Sequence, residues 1–386
     1  MKLQDKKIAV VGGGPGGLTL AKLLQLKGIN VKVYERDLDK NARVQGAPLD
    51  LHDDSGLAAL GKAGLLKEFK NNFLPKADRK KILDKHAVVF FSDHETKVEE
   101  NFENPHFRPE IDRGALRKIL LESLQPETVV WDSHFSSMGK HGDGWLLHFK
   151  NGSTVYADLV IAADGANSKI RPYITDIKAF YSGIVMLEGT IYDAHRTAPQ
   201  ISALLNGGKI MAFANAKSIL MGQKGNGEIG FYASFKADEN WMTNSGLNFG
   251  DKKQLLEWFK TTYPGWSTVW NGLFENASEP FIPRPIYCMP LDQAWKTLPN
   301  LTMLGDAAHV MPPFAGEGVN MAMLDALELN ECLTCDKYDT ILEAIAAYES
   351  RMQKRAATAA KESLDNGELM HSEKALTAML DFFSGH

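Results

Sequence analysis

The stretch "IAVVGGGPGG", residues 8–17, constrains the fold more than any other part of the chain. The apolar run Ile8–Val11 leads into a turn where Gly12, Gly14 and Gly17 stand at G-x-G-x-x-G spacing. Ala21, Leu23, Leu24 and Leu26 then supply the apolar side of a helix, and "INVKVYE" alternates into a second strand. Gly12 permits the tight turn, Gly14 lets the backbone approach a pyrophosphate, and Gly17 lets helix and strand pack closely. The helix start offers free N–H groups and a positive dipole end to phosphate. Glu35 ends the second strand 18 residues beyond Gly17, where a carboxylate can accept hydrogen bonds from an adenosine ribose. Strand, helix and acid at these distances predict a dinucleotide site rather than a purely structural turn.

At 386 residues and 44% hydrophobic content the chain can bury a large core, and its length suggests two domains or one domain with a large insertion. A net charge of -5 argues against a nucleic-acid scaffold, so the basic "KADRKK" (76–81) reads as a solvated surface segment. No apolar run approaches the roughly 20 residues that span a bilayer, and the start lacks a signal peptide's regions; the expectation is a cytoplasmic protein. Three cysteines make no disulfide framework. Cys332 and Cys335 lack the partners of a zinc site and read as a helical coincidence, so no metal is expected.

The first part reads as an α/β sheet domain. It continues through a polar connection leading into an amphipathic helix (42–69), a helix "DRGALRKILLESL" (112–124) and short strands ending at Asp164-Gly165. Asp112 is a plausible N-cap for that helix. Arg113 in its first turn runs against the helix dipole, which leaves two readings open, an exposed arginine or one aimed at a ligand. Residues 174–285 alternate apolar and polar, carry turns at Asn206-Gly207-Gly208 and Gly225-Asn226-Gly227, and predict a largely antiparallel sheet with one helix at 251–263. Beyond Leu304 the pattern is helical. The predicted fold class is therefore α/β: a Rossmann-like domain in two parts (1–173 and 286–335), a mixed, largely antiparallel substrate domain (174–285) and a C-terminal helical segment (336–386) bridging them.

"LTMLGDAAHVMPPFAGEGVN" (301–320) places a second short strand, a glycine turn and Asp306 at a strand's carboxyl end, where open α/β sheets hold ligands. A carboxylate there could accept a ribityl hydroxyl. Pro312 and Pro313 stiffen the turn, while Gly316 and Gly318 allow a flat ring to approach the start of the next helix. The helix end would face negative charge developing on that ring. A long, phosphorylated and planar cofactor meets these demands, which describes FAD. His309 is tempting as a base but reads better as structural.

"VVGGGPGGLTLA…VYERD", "ADLVIAADGANSKIR" and "MLGDAAHVMPPFAGEGVNMAM", in this order, resemble the motifs of class A flavoprotein monooxygenases of the p-hydroxybenzoate hydroxylase-type fold. Within that family the chain is similar to the tetracycline-inactivating Tet(X)-type enzymes through "VYERD", "LDLH" (49–52), "LR-ILL-SL" (116–124), "DAAHVMPPFAGEGVN" and the spacing of Asn366 and Met370. The resemblance implies a cofactor set of Gly12, Gly14, Pro15, Gly17, Glu35, Arg36, Asp37, Arg43, Asp50, Arg113, Asp164 and Asp306. Pro313, Gly316, Gly318, Val319 and Asn320 would line the isoalloxazine. It also implies NADPH as a transient co-substrate, consistent with a single glycine motif, and O2 trapped as a C4a-hydroperoxide whose distal oxygen passes to a planar phenolic or polycyclic substrate. No side chain need act as nucleophile. A monomer acting on a small molecule, without nucleic acid or membrane, is expected.

The substrate face departs from that pattern. The positions that match the Tet(X)-type glutamine, arginine and histidine are read as Ala203, Lys209 and Gly230; Lys209 keeps a charge but not a guanidinium's bidentate geometry. Met211, Phe314, Gly316, Asn366 and Met370 fit, and Phe213 and Phe231 are expected to add aromatic wall, against a reading of these Met and Phe residues as ordinary core. Tetracycline inactivation follows as a leading candidate activity. The alternative is an FAD-dependent reductase or dehydrogenase of a hydrophobic small molecule. A halogenase would need a W-x-W-x-I-P segment that the chain does not carry.

Overall fold

The computed structural model describes residues 3–42, 47–95 and 100–384. Five parallel strands, β1 (Ile8–Val11), β2 (Val31–Tyr34), β7 (Val129–Val130), β11 (Leu159–Ala162) and β17 (Leu301–Met303), form one sheet in the order β17-β11-β1-β2-β7. All residues of β1, β11 and β17 are buried, which explains their unbroken apolar runs. β17, far along the chain, completes the sheet begun by β1. Beside it lie an antiparallel excursion of β8 (Phe135–His141), β9 (Gly144–Phe149) and β10 (Thr154–Ala157), and a short pair of β3 (Leu49–Asp50) and β6 (Glu110–Ile111).

The second sheet has seven strands in the order β16-β12-β15-β14-β13-β4-β5: β12 (Phe180–Ile191), β13 (Lys209–Ala214), β14 (Lys217–Gln223), β15 (Ile229–Lys236) and β16 (Ser278–Cys288), joined by β4 (Lys80–Asp84) and β5 (Val89–Ser92). Every pairing is antiparallel except β13 with β4. Two sequence expectations are corrected here. The sheet is not confined to 174–285, because it recruits β4 and β5 from the first part and runs to Cys288. "KADRKK" is not wholly a surface segment either, because Lys80 and Lys81 begin β4, whose Ile82 and Leu83 are fully buried.

Strand alternation gives this sheet two distinct faces. Leu187, Ile191, Ile210, Ala212, Ile219, Ile229, Phe231 and Ala233 pack into a core with the helix Lys252–Thr262. On the opposite face the register aligns Glu188, Tyr232, Leu220, Met211 and Ile82 in one row, and Thr190, Gly230, Gly222, Lys209 and Lys80 in the next.

The long helix Ile341–Met370 starts with a capping box between Thr340 and Glu343. It docks on β17: the Tyr348 hydroxyl donates to the Met303 carbonyl at 3.0 Å, and buried Glu349 accepts from Thr302 at 2.8 Å. Its far end reaches the second sheet, where the helix Ala375–Ser384 follows and packs on β4, β5 and β13. Cys332 lies in the helix Gly318–Thr334, Cys335 caps its end, and both thiols are free.

Candidate active site

The glycine turn separates three jobs. Gly12 has φ +115°, and a Cβ there would lie 2.1 Å from the Ala163 carbonyl oxygen. At Gly17 a Cβ would lie 2.2 Å from the Gly12 carbonyl oxygen, so helix and strand touch through it. At Gly14 a Cβ would meet nothing within 4 Å. The backbone there faces open space at the start of the helix Pro15–Leu26, with Pro15 at its first turn and no acidic residue to repel an anion.

Glu35, 2% exposed, accepts from the Gly13 amide at 2.6 Å and the Asp37 amide at 3.0 Å, which fixes its carboxylate inside the turn. Asp37 pairs with Arg117 at 2.9 Å; the same guanidinium donates to the Lys40 carbonyl and lies 5.4 Å from the Trp131 ring centre. Arg117 was not read from the sequence, although "LR" at 116–117 holds it at the buried side of its helix. Arg36 is exposed, and Arg43 lies outside the described residues. Asp164 accepts from the Lys169 amide at 2.8 Å, while its second, buried oxygen has no protein partner.

Asp306 begins a short helical turn after β17; solvent reaches its side chain, yet the protein crowded around it pushes its carboxyl pKa up against the opposing charges of His309 and Arg113. Arg113 begins the helix Arg113–Glu122 and donates to the Ala47 carbonyl at 3.0 Å. Solvent reaches Arg113, yet burial pushes its pKa down while Tyr232, Asp306 and Glu188 oppose that fall; this is a side chain in a walled cleft. Asp112 precedes the helix but accepts from the Gly225 amide at 3.1 Å instead of capping it, so that carboxylate ties the turn of the second sheet to the first part. His309 is buried, and its Nδ1 has no protein partner. Its Nε2 lies 2.6 Å from Asp325, which also accepts from the Gly305 amide and from Arg355.

The segment 313–320 is held from both sides. Pro313–Ala315 form a 3-10 turn, and Gly316 takes φ +71° beside the Asp50 carboxylate. The Asn320 amide donates to the Asp50 carbonyl at 3.0 Å and the Gly316 carbonyl at 3.1 Å, and accepts from the His52 amide at 2.9 Å. Asn320 therefore spends its side chain on the loop, so any contact with a ring falls to its backbone. Val319 packs partly against the main core, and a Cβ at Gly318 would meet nothing within 4 Å.

Next to this segment lies a charge cluster that the sequence did not disclose. His52, 6% exposed, sits between Asp50 (Nε2 to Oδ2, 3.2 Å) and Glu317 (Nδ1 to Oε1, 3.3 Å). Burial opposes its charge, but the two carboxylates push its pKa up to about 9. Across the β3–β6 pair, Glu110 is 1% exposed and paired with Lys209; burial pushes its pKa up to about 7, against the Lys209 charge.

The sheet face over this cleft presents Lys209, Met211, Glu188 and Tyr232, with Arg284 paired to Glu188. Glu188, Tyr232 and Arg284 were missed; the alternation in "MLEGTI" and "EIGFYASF" contained the first two, but not which face meets the cleft, and Arg284 stands between two prolines in "IPRPI". Three expected wall residues are corrected, and the position read as Ala203 is placed elsewhere. Phe231 is fully buried on the opposite face, its ring over Gly189 and against Phe274 and Phe281. Phe213 and Met370 face the right way but are sealed in an apolar cluster with Ile82 and Met379. Ala203 sits on the helix Pro199–Leu205, whose Ile201 and Leu205 belong to the opposite core. Gly230 is on the cleft side. Phe314 is half-buried, its ring 5.5 Å from that of His371, and Asn366 donates to the Phe314 carbonyl at 3.2 Å.

Open backbone at Gly14 and Gly318, the orphan Asp164 oxygen and the walled Arg113–Asp306 cleft suit a cofactor with a phosphate bridge and a flat ring. The comparisons agree on the class. The FAD binding domain family model matches residues 5–218 and 299–363, and the chain belongs to this family. It is a flavin-dependent monooxygenase. Monooxygenase penA of Penicillium thymicola is 28% identical over 430 aligned positions, covering 96% of this chain and 97% of that protein. The 6-hydroxynicotinate 3-monooxygenase of Pseudomonas fluorescens is 26% identical, covering 96% and 93%. The crystal structure of tetracycline destructase Tet(55) superposes with a TM-score of 0.77 at 19% identity, covering 100% of this chain and 96% of that one; this likeness concerns the fold. Residues 219–298, between the two matched parts, carry β15 and β16 of the second sheet. Among the described residues no His, Cys, Asp and Glu cluster suits a metal, and no helix is long and apolar enough to cross a membrane.

Proposed function

We propose that the protein hydroxylates a planar phenolic or polycyclic small molecule with O2 and NADPH, and that tetracycline-type compounds are leading candidate substrates. The observation that supports this is Arg113, whose charge interacts both with Tyr232 and Glu188 of the sheet row and with Asp306 of the segment after β17, so that the two faces meet around it. FAD, when bound, supplies the activation of O2. Gly14 and the start of its helix would receive the pyrophosphate, Glu35 and Asp37 would flank the adenosine, and Arg113 and Asp306 would hold the ribityl region. Pro313, Gly316 and Gly318 would lie along the ring. Lys209, Met211, Tyr232 and Phe314 would orient the substrate and exclude water from it. Lys209 and Tyr232 could donate to a phenolate or enolate oxygen and so favour loss of the hydroxyl proton, and the ionised ring is a better partner for an electrophilic oxygen than the neutral one.

The purified protein should be yellow and release FAD rather than FMN on denaturation. Incubated with NADPH and a panel of tetracyclines and phenols, it should consume O2 and give a product heavier by one oxygen atom. Product formation without O2 uptake would instead indicate a reductase, and a colourless protein that FAD cannot reconstitute would remove the cofactor reading.

A further inference from the structure

His52 and Glu317 form a contact whose position gives it a role beyond packing. Glu317 lies between Gly316 and Gly318, at the mouth of the helix Gly318–Thr334, where an unneutralised carboxylate would set negative charge beside a bound flavin. Its carboxylate is turned to His52 instead, at 3.3 Å. The imidazole is buried, holds Asp50 with its other nitrogen at 3.2 Å, and is fixed through its own backbone amide to Asn320 at 2.9 Å. Thus one imidazole stands between two carboxylates, one of them beside Gly316 in the segment proposed to line the ring. Beyond Asp50, Lys209 and Glu110 are paired and their charges cancel.

We propose that His52 is a positioning residue for the flavin, holding Glu317 away from the ring and setting, together with Asp50 and Glu317, the local charge that tunes the cofactor's reduction potential. The inference rests on the reading that Pro313 to Gly318 line the isoalloxazine. A reduced flavin is richer in electrons than the oxidised form, so nearby negative charge disfavours it and positive charge favours it. With His52 protonated the three groups sum to one negative charge; His52→Gln makes this two, Glu317→Gln makes it zero, and the double variant restores one. A role in packing alone does not give shifts of opposite sign.

The test is the midpoint potential of the FAD-loaded protein, measured between the Glu110 and His52 values of about 7 and about 9 so that both groups carry their charges. The expected order is His52→Gln most negative, wild type and the double variant together, and Glu317→Gln most positive. If His52→Gln fails to fold, the positive shift of Glu317→Gln and its reversal in the double variant still decide. Potentials that move in one direction for all variants, or do not move, overturn the inference. Gly318→Val separates its failure from that of the underlying reading: a side chain there should expel FAD or alter its spectrum if the segment lines the ring. An unchanged spectrum and full FAD retention in Gly318→Val would show that the ring lies elsewhere.

Discussion

Gly14 and Gly17 differ by three positions and should respond oppositely to one added methyl group. At Gly14, φ -78° and ψ 176° are open to alanine and no atom lies within 4 Å of the new Cβ. The entropic gain of alanine and the helix-start preference for glycine oppose each other, each on the order of 1 kcal/mol or less. Gly14→Ala should therefore leave the apoprotein's melting temperature nearly unchanged while weakening FAD retention, read from released flavin fluorescence. Gly17→Ala puts a methyl 2.2 Å from a backbone oxygen, and should lower apoprotein stability by about 1–3 kcal/mol. If Gly14→Ala binds FAD normally, the pyrophosphate lies elsewhere. Titration gives a second test at this scale. His52 has a raised folded value of about 9, so its stabilising contribution is complete below the ordinary imidazole value and is lost as pH rises through about 9. Glu110, raised to about 7, likewise makes the folded state bind the extra proton, so stability falls as pH rises from the ordinary carboxyl value towards 7. Melting temperature against pH should fall across both windows, and His52→Gln should flatten the upper one alone.

At the scale of the element, the two faces of the second sheet make neighbouring residues unequal. Phe231→Ala empties a core site against Phe274 and Phe281, and should cost about 3–5 kcal/mol without changing which substrates are bound. Met211→Ala, half-buried on the cleft side, should destabilise less and change substrate selectivity. Selectivity that moves with Phe231 and not Met211 would reverse the assignment of faces. The same contrast shows what the sequence could convey. The glycine turn, Glu35 and the Asp306 turn were legible because their spacing along the chain encodes their geometry. Alternation likewise predicted β12, β13 and β15, but not which face meets the first domain, since that depends on a partner element. Asp37 with Arg117, His52 with Glu317 and Glu110 with Lys209 were hidden for the same reason, as each pair joins distant parts of the chain. β4 was hidden by its own lysines, whose long side chains let charged heads reach solvent while Ile82 and Leu83 are buried.

For the whole molecule, the long helix is the tie between the two sheets, and its end is where that tie can be cut without touching the cofactor turn. Ser363 donates to the Pro312 carbonyl and Asn366 to the Phe314 carbonyl, so the helix grips both sides of the 3-10 turn. A Cβ at Gly367 would lie 2.7 Å from the Phe314 ring, so helix and turn are in close contact. His371, buried after the helix end, then reaches the second sheet: its Nε2 lies 2.7 Å from the Ser234 hydroxyl and its Nδ1 2.7 Å from the Gly367 carbonyl. His371→Ala would strand buried Ser234 and Gly367 groups, a loss of about 1–3 kcal/mol. Asn366→Ala removes one grip on the flavin-side turn with less damage to the core. Neither variant touches Gly14, Glu35 or the Asp37–Arg117 pair, so both should retain FAD. Both should loosen the wall between the Phe314 turn and the sheet and admit water to the reacting centre. The expected result is NADPH oxidation with a larger share of hydrogen peroxide per product formed, and more so for His371→Ala. Lower melting temperatures with an unchanged ratio of product to peroxide would make this helix end a brace only, and would remove Asn366 from the substrate wall that the resemblance implies.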